Sequence, residues 1–316
     1  MKPNIYLSII TPIKGSLKKE KIIEKIHERS RLSKNISNCE FLFILDGAKE
    51  NKVSKIKRIF LSMDNLKIFG YKKNKGPGFA RNVGIKRCKG NKIIFLDFDD
   101  EIIFKNLRKL VSFSRKEKLL IACNYKINLP SNKNSTDNFK KNINFYKSKE
   151  KLNYLINKSI NREVIYYLFD KNELVNKKIF FDKNFFEDIL FLIKFFFYYK
   201  KKIRLFKNYL GIKIYNKNSI TKEINKKYLI DKLEAWKKVD YFFKKKKLKN
   251  FNLQSRFRSE FYNIYIEINN KVKTKKLREN LMQIYYKYFN NMLERKFEIQ
   301  TKKDKFIQKI IKNEIL

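Results

Sequence analysis

Between Tyr6 and Tyr125, short apolar runs alternate with stretches of helical spacing, and few architectures tolerate that order. Strands are read at Tyr6–Thr11, Glu40–Asp46, Leu66–Tyr71, Lys92–Asp97 and Leu119–Tyr125. Helices are read at Leu17–Leu32, at Val53–Leu61, from the Gly76-Pro77-Gly78 turn through Cys88, and from Lys105 to Lys118. A helix between two strands returns the second strand parallel to the first. The alternation therefore predicts an α/β fold with a mainly parallel, Rossmann-like sheet and helices on both faces.

The rest of the chain changes character. Residues 127–149 are rich in Asn, Lys and Ser and read as a surface loop. A short helix near Leu152–Asn157, a strand at Val164–Phe169 and a strong helix from Glu187 to Lys200 follow. From Asn225 onward only helical spacing remains: Leu229, Leu233, Trp236 and Phe243, then Phe257, Phe261, Ile264 and Ile268, then Leu277, Leu281, Ile284 and Tyr288. This predicts three or four amphipathic helices as a C-terminal helical appendage, their stripes packed on each other in preference to lipid. The expected division is a domain at 1–222 and a helical region at 223–316.

Composition narrows the function classes. The formal net charge is +45, which invites an anionic partner such as a nucleoside diphosphate, a membrane surface or nucleic acid. Lys, Asn, Ile, Phe and Tyr are all abundant, as compositional bias would produce, and bias is the preferred reading of the charge. Lys far outnumbers Arg, which disfavours a surface built for bidentate phosphate recognition. Cys39, Cys88 and Cys123 show no paired spacing and read as free thiols in a reducing compartment. His27 is the one histidine, so a His-based triad or multi-His metal site is excluded; it is expected on the surface. The apolar part of MKPNIYLSIITP is too short for a signal peptide and runs into a core strand. Ile189–Tyr199 is interrupted by Lys194 and falls short of the roughly 20 apolar residues a spanning helix needs. The expectation is a cytoplasmic protein, soluble or peripheral on the inner face of the cytoplasmic membrane. Lys244–Lys247 beside Phe242 and Phe243 is the candidate contact with an anionic membrane, its plain alternative being a solvated helix end.

The most informative stretch is Lys92-Ile-Ile-Phe-Leu-Asp97-Phe98-Asp99-Asp100. An apolar strand delivers carboxylates to its C-terminal edge, where parallel α/β sheets bind ligands. On an extended strand Asp97 and Asp99 point to the same side. Adjacent carboxylates repel unless a cation lies between them, and oxygen ligands suit Mg2+ or Mn2+. An acidic turn capping the next helix is the bland alternative, and it is the better reading of an Asp-x-Asp taken alone.

The surroundings shift that balance. Upstream stands Lys75-Gly76-Pro77-Gly78-Phe79-Ala80-Arg81-Asn82-Val83-Gly84-Ile85, with a tight turn opening a helix. This segment together with the Asp-x-Asp-Asp strand closely resembles the family 2 glycosyltransferases and their GT-A fold. The resemblance extends over about residues 5–221. Leu7-Ser-Ile-Ile-Thr-Pro12 is similar to the family's first strand, although Ile13-Lys14-Gly15 replaces the usual Val-Tyr-Asn. Glu40-Phe-Leu-Phe-Ile-Leu-Asp46-Gly47 is similar to the second, with Leu45 where the family's first Asp stands. Phe180-Phe181-Asp182 through Glu187-Asp188-Ile-Leu-Phe191 resembles the Glu-Asp motif at a helix start, and Tyr215 to Ser219-Ile220-Thr221 resembles the segment that closes the catalytic domain.

The resemblance implies an inverting transfer of a sugar from a nucleotide-sugar donor, a UDP-sugar in the first instance, to an acceptor hydroxyl. It implies a divalent metal, Mn2+ or Mg2+, with Asp99 as main ligand and Asp97 on the metal through water or on the ribose. Pro12, Asp46, Arg81 and Asp97 would bind the nucleotide-sugar, Asp46 and Arg81 at the base. Asp100 would support the loop or cap a helix. Asp188 would be the general base, with Glu187 shaping the acceptor site or serving as the fallback base; without the other motifs, both read as acidic residues favoured at a helix N-terminus. Relatives of this size suggest a glycan or lipid-linked acceptor in bacterial surface polysaccharide or lipooligosaccharide synthesis. The rival readings are a basic nucleic-acid-binding protein, a nucleotidyltransferase using Lys14-Gly15-Ser16-Leu17-Lys18-Lys19, and a non-catalytic scaffold. No nucleic-acid-binding motif appears and the lysines are dispersed, so no nucleic-acid partner is expected.

Overall fold

The protein is described from a computed structural model, which covers residues 5–33, 36, 38–116, 119–128, 135–137, 148–157, 163–183, 186–214, 224–248, 253–293 and 298–312. The expected closing segment, Tyr215 to Thr221, and most of the expected loop at 127–149 lie outside the described residues. The chain divides into two compact units, Met1–Asn216 and Lys217–Leu316.

The first unit begins with β1 (Leu7–Lys14), α1 (Lys19–Ser33), β2 (Cys39–Asp46), α2 (Glu50–Ile59), β3 (Leu66–Tyr71), α3 (Pro77–Arg87) and β4 (Lys92–Phe95). It continues with β5 (Glu101–Ile102), α4 (Phe104–Lys116), β6 (Leu120–Asn128), β7 (Ser135–Asp137) and α5 (Ser148–Ile156). A 3-10 turn at Val164–Tyr166 leads into β8 (Tyr167–Asp170), α6 (Lys171–Asn176), α7 (Glu187–Tyr198) and β9 (Ile203–Ile214). The sheet order is β3-β2-β1-β4-β8-β6-β9-β5, with β7 beside β6.

The α/β fold predicted from the alternation is present, and β3, β2, β1 and β4 pair in parallel as expected. Every residue of β2 is buried, as a strand covered on both faces must be. Beyond β4 the sheet is mixed: β8 runs antiparallel to both β4 and β6, while β9 is parallel to β6. The expected strand at Val164–Phe169 opens instead with the 3-10 turn, and β9 was not expected at all.

The second unit holds α8 (Lys226–Lys245), α9 (Leu253–Lys271), α10 (Lys275–Met292) and α11 (Lys302–Ile311). Leu229, Leu233, Trp236, Phe257, Phe261, Ile264 and Ile268 are buried, so these stripes face protein. On α10 the buried line is Leu281, Tyr285, Phe289 and Met292, which corrects the expected line: Leu277 is exposed. Phe242 and Phe243 are also buried, which removes them from the expected membrane contact; Tyr241 is the exposed ring beside the lysine run. No helix among the described residues is long and apolar enough to cross a membrane.

Candidate active site

The site is built where β1, β2, β4 and the N-termini of α3 and α7 come together. Gly76 adopts φ +87, a conformation that L side chains rarely adopt, and Pro77 supplies the preset first turn of α3. Asp46, at the end of β2, accepts from the backbone N–H of Lys75 at 2.7 Å and of Gly76 at 2.8 Å. The second strand's terminal carboxylate thus shapes the turn that launches α3. A Cβ on Gly78 would come within 2.8 Å of Glu187 Cγ and 2.9 Å of the Asp182 carbonyl. Only glycine lets the α7 segment approach α3 so closely.

That approach creates the central feature. Arg81, one turn into α3 and 5% exposed, donates from Nη1 to Glu187 Oε1 at 2.7 Å and Asp188 Oδ1 at 3.2 Å, and from Nη2 to Asp97 Oδ1 at 2.9 Å. Its guanidinium lies 5.4 Å from the Phe181 ring centroid, and Phe181 stacks on Phe191 at 3.9 Å. An aromatic floor of Phe95, Phe169, Phe181 and Phe191 therefore fixes α7 against β4 and β8. Phe186, just before Glu187, holds a left-handed φ of +64, the kind of backbone strain that gathers at functional sites.

One cation among three carboxylates leaves a surplus of negative charge. Burial pushes the Asp188 carboxyl up to about 7, with Glu187 and Asp97 adding to the rise against the pull of Arg81. Glu187 is shifted upward for the same reason, burial first. Arg81 itself is desolvated, yet its three acidic partners outweigh that and raise its pKa further, so it stays charged. Asp188 Oδ2 also accepts from the Val164 N–H at 3.2 Å, and 23% of the side chain remains open to solvent. A carboxylate poised near neutrality and partly open can take a proton.

The acidic stretch differs from its expectation. β4 ends at Phe95, so Asp97 and Asp99 lie in a bend, and strand periodicity does not govern where they point. Asp97 is half-buried and Asp99 exposed. Asp100 is 2% exposed and ties the bend to β9, its Oδ1 accepting from the Ile214 N–H at 3.0 Å. It does not cap α4, which begins at Phe104. Burial and the neighbouring Asp97 push the Asp100 carboxyl up to about 8. Pro12 lies half-buried on β1, in register with Ile44 of β2.

Among the described residues, no three His, Cys, Asp or Glu side chains form a group able to hold an ion unaided. The chemistry of the donor set fits a divalent cation of another kind. Mg2+ is held through one or two carboxylates and completes its shell with water and phosphate oxygens. Asp97, with one oxygen taken by Arg81, and the exposed Asp99 fit an ion that arrives with a diphosphate.

Sequence reading missed Arg29 and the Lys213–Glu163 pair. Arg29 of α1 donates to Thr11 and to three carbonyls of the acidic bend. Lys213 of β9 pairs with Glu163, next to the Val164 N–H that holds Asp188. Lys213 is desolvated, but Glu163, Asp100 and Asp97 outweigh that and keep it charged. A signal for Arg29 does exist: it falls on the line of Ile22 and Ile26, where an apolar residue belongs.

The family model for glycosyl transferase family 2 matches residues 8–203, well over half of the 316-residue chain. The chain belongs to glycosyltransferase family 2. An uncharacterized glycosyltransferase of Haemophilus influenzae is 32% identical over 93 residues, 29% of this chain and 37% of that one. One from Rickettsia prowazekii is 29% identical over 134 residues, 40% of this chain and 39% of that protein. The chain thus spans less than two fifths of the length of these family 2 relatives. The crystal structure of S. aureus TarS 1-349 in complex with UDP-GlcNAc shares the fold, with a TM-score of 0.58 at 15% identity over 92% of this chain and 74% of that one.

Proposed function

We propose that the first unit transfers a sugar, with inversion, from a UDP-sugar to an acceptor hydroxyl. The observation that carries this reading is the convergence of Asp97, Glu187 and Asp188, from distant parts of the chain, on the buried Arg81. The family assignment and the UDP-GlcNAc complex of the structural neighbour support it.

In this reading Asp188 is the general base. As the acceptor oxygen bonds to the anomeric carbon, its proton passes to the Asp188 carboxylate, and the bond to the diphosphate breaks with its electron pair on phosphate oxygen. Direct displacement at one carbon by one nucleophile inverts the anomeric configuration. A divalent cation, when bound, neutralises charge on the departing diphosphate. Asp99 and the second oxygen of Asp97 would hold that ion. Arg81 is read as the positioning group for the acids, because its buried fork is committed to them and not to a nucleotide base. Asp46 acts on the donor pocket through the Lys75-Gly76 turn, with Pro12 on the adjoining strand. Glu187 shapes the acceptor side. The acceptor class that suits this chain is a glycan or lipid-linked saccharide of a bacterial surface polymer, met at the inner face of the cytoplasmic membrane.

The test is a screen of nucleotide sugars with Mn2+ and Mg2+, read by released nucleoside diphosphate. Turnover of a UDP-sugar that needs the metal and is abolished by Asp99→Ala is expected. Turnover unchanged in that variant would refute the metal assignment, and no turnover with any donor would refute the reading itself.

A further inference from the structure

The acidic bend at residues 97–100 follows the end of β4, and within it the Asp100 N–H donates to the Asp97 carbonyl at 3.3 Å. Arg29 supplies further donors to the carbonyls of the bend. Its Nη2 donates to the carbonyls of Asp97 at 2.9 Å, Phe98 at 3.0 Å and Asp100 at 3.0 Å. Its Nη1 donates to Thr11 Oγ1 at 2.8 Å, which anchors the guanidinium to β1, one residue before Pro12. Arg29 is 2% exposed, whereas Asp97 is half-buried and Asp99 exposed. The Arg29 guanidinium carries a positive charge.

Three carbonyls of a four-residue bend, those of Asp97, Phe98 and Asp100, share the two N–H groups of Nη2, and with Nη1 anchored on Thr11 this restricts the directions in which Asp97 and Asp99 leave the backbone. The same charge offsets repulsion among the acids of the bend before any cation arrives. We propose that Arg29 is the positioning residue that sets the acidic loop to receive a nucleoside diphosphate with its divalent cation, touching neither of them itself. This rests on the glycosyl-transfer reading above and extends it to a residue outside the pocket. Lysine in its place would carry the charge without the planar fork and could not hold Thr11 and all three carbonyls together.

The experiment compares the full chain with Arg29→Lys and Thr11→Val. Mn2+ binding in the presence of UDP is followed by electron paramagnetic resonance of free Mn2+, beside thermal melting and the KM and kcat for the donor. Arg29→Lys is expected to melt cooperatively, to weaken Mn2+ binding on the order of 10- to 100-fold, as loss of a ligand-orienting partner does, and to raise KM more than it lowers kcat. Thr11→Val, which frees one arm of the guanidinium, is expected to move the same quantities in the same direction by less. A folded Arg29→Lys with wild-type Mn2+ affinity overturns the proposal. Should that variant fail to fold, wild-type Mn2+ affinity in Thr11→Val overturns it by the same criterion. A wild-type chain that binds no Mn2+ with UDP overturns the glycosyl-transfer reading and this inference together, whereas wild-type binding with unmoved variants overturns the inference alone.

Discussion

Two buried arginines, one in each unit, show how the same chemical pair serves opposite ends. In the helical unit, Asp304 of α11 is surrounded by donors: Arg258 Nε at 2.5 Å, the Thr301 hydroxyl at 2.8 Å and the Gln300 N–H at 3.3 Å. Desolvation disfavours its charge, yet the hydrogen bonds and the guanidinium outweigh that, and its pKa falls below the ordinary value. Around Arg81 the ratio is reversed. Three carboxylates share one guanidinium, and Glu187 and Asp188 are pushed upward. A carboxylate with surplus donors is a structural tie; a carboxylate short of donors keeps affinity for a proton.

The contrast can be broken at several points. Asp188→Asn should lower kcat by about 10²–10⁴-fold, the usual worth of a general base, with UDP affinity in a direct binding assay unchanged. Asp304→Ala breaks the buried Arg258–Asp304 pair and should cost the helical unit about 3–5 kcal/mol in thermal or urea unfolding. Arg81→Lys keeps the charge but loses the fork, so the acids shift and kcat should fall about 10²-fold while the chain still melts cooperatively. The smallest effect is on stability and carries opposite signs in the two regions. An Asp188 pKa of about 7 in the folded chain against about 4 unfolded makes the folded state bind more protons between those values. Stability is therefore lost as pH rises through that window. Asp188→Asn should raise melting at pH 8 by on the order of 1 kcal/mol, about 2–4 °C, and lose the gain near pH 4. For Asp304 the folded pKa is depressed, so its contribution is full above about pH 4 and fades below it, and Asp304→Ala should cost less in acid.

Much of this was legible from local pattern. The β3-β2-β1-β4 half of the sheet, the Gly76-Pro77 turn and the start of α7 each announce themselves through apolar runs, glycine and proline. The partners of Arg81 were each singled out as candidates, but their meeting point was not, because Gly78 admitting α7 is a property of packing. β9 escaped because its burial does not alternate: the pairing with β6 slips near Cys123, Asn124 and Tyr125, which breaks the period of two. Arg29 was hidden by abundance, one base among 76 Lys and Arg residues, in a helix whose charged neighbours mask its place on the buried line. The α10 stripe was misread by a fraction of a turn, since Ile284 and Tyr288 look as apolar in sequence as the buried Tyr285 and Phe289.

The overloaded guanidinium is tested most directly by the pH dependence of kcat/KM for nucleoside diphosphate release by the wild-type chain. An acid limb with an apparent pKa of about 7 is expected, belonging to the coupled carboxylates around Arg81 as a set, with a roughly tenfold fall for each pH unit below it. An acid limb at about 4, where an unperturbed carboxylate titrates, would contradict that expectation.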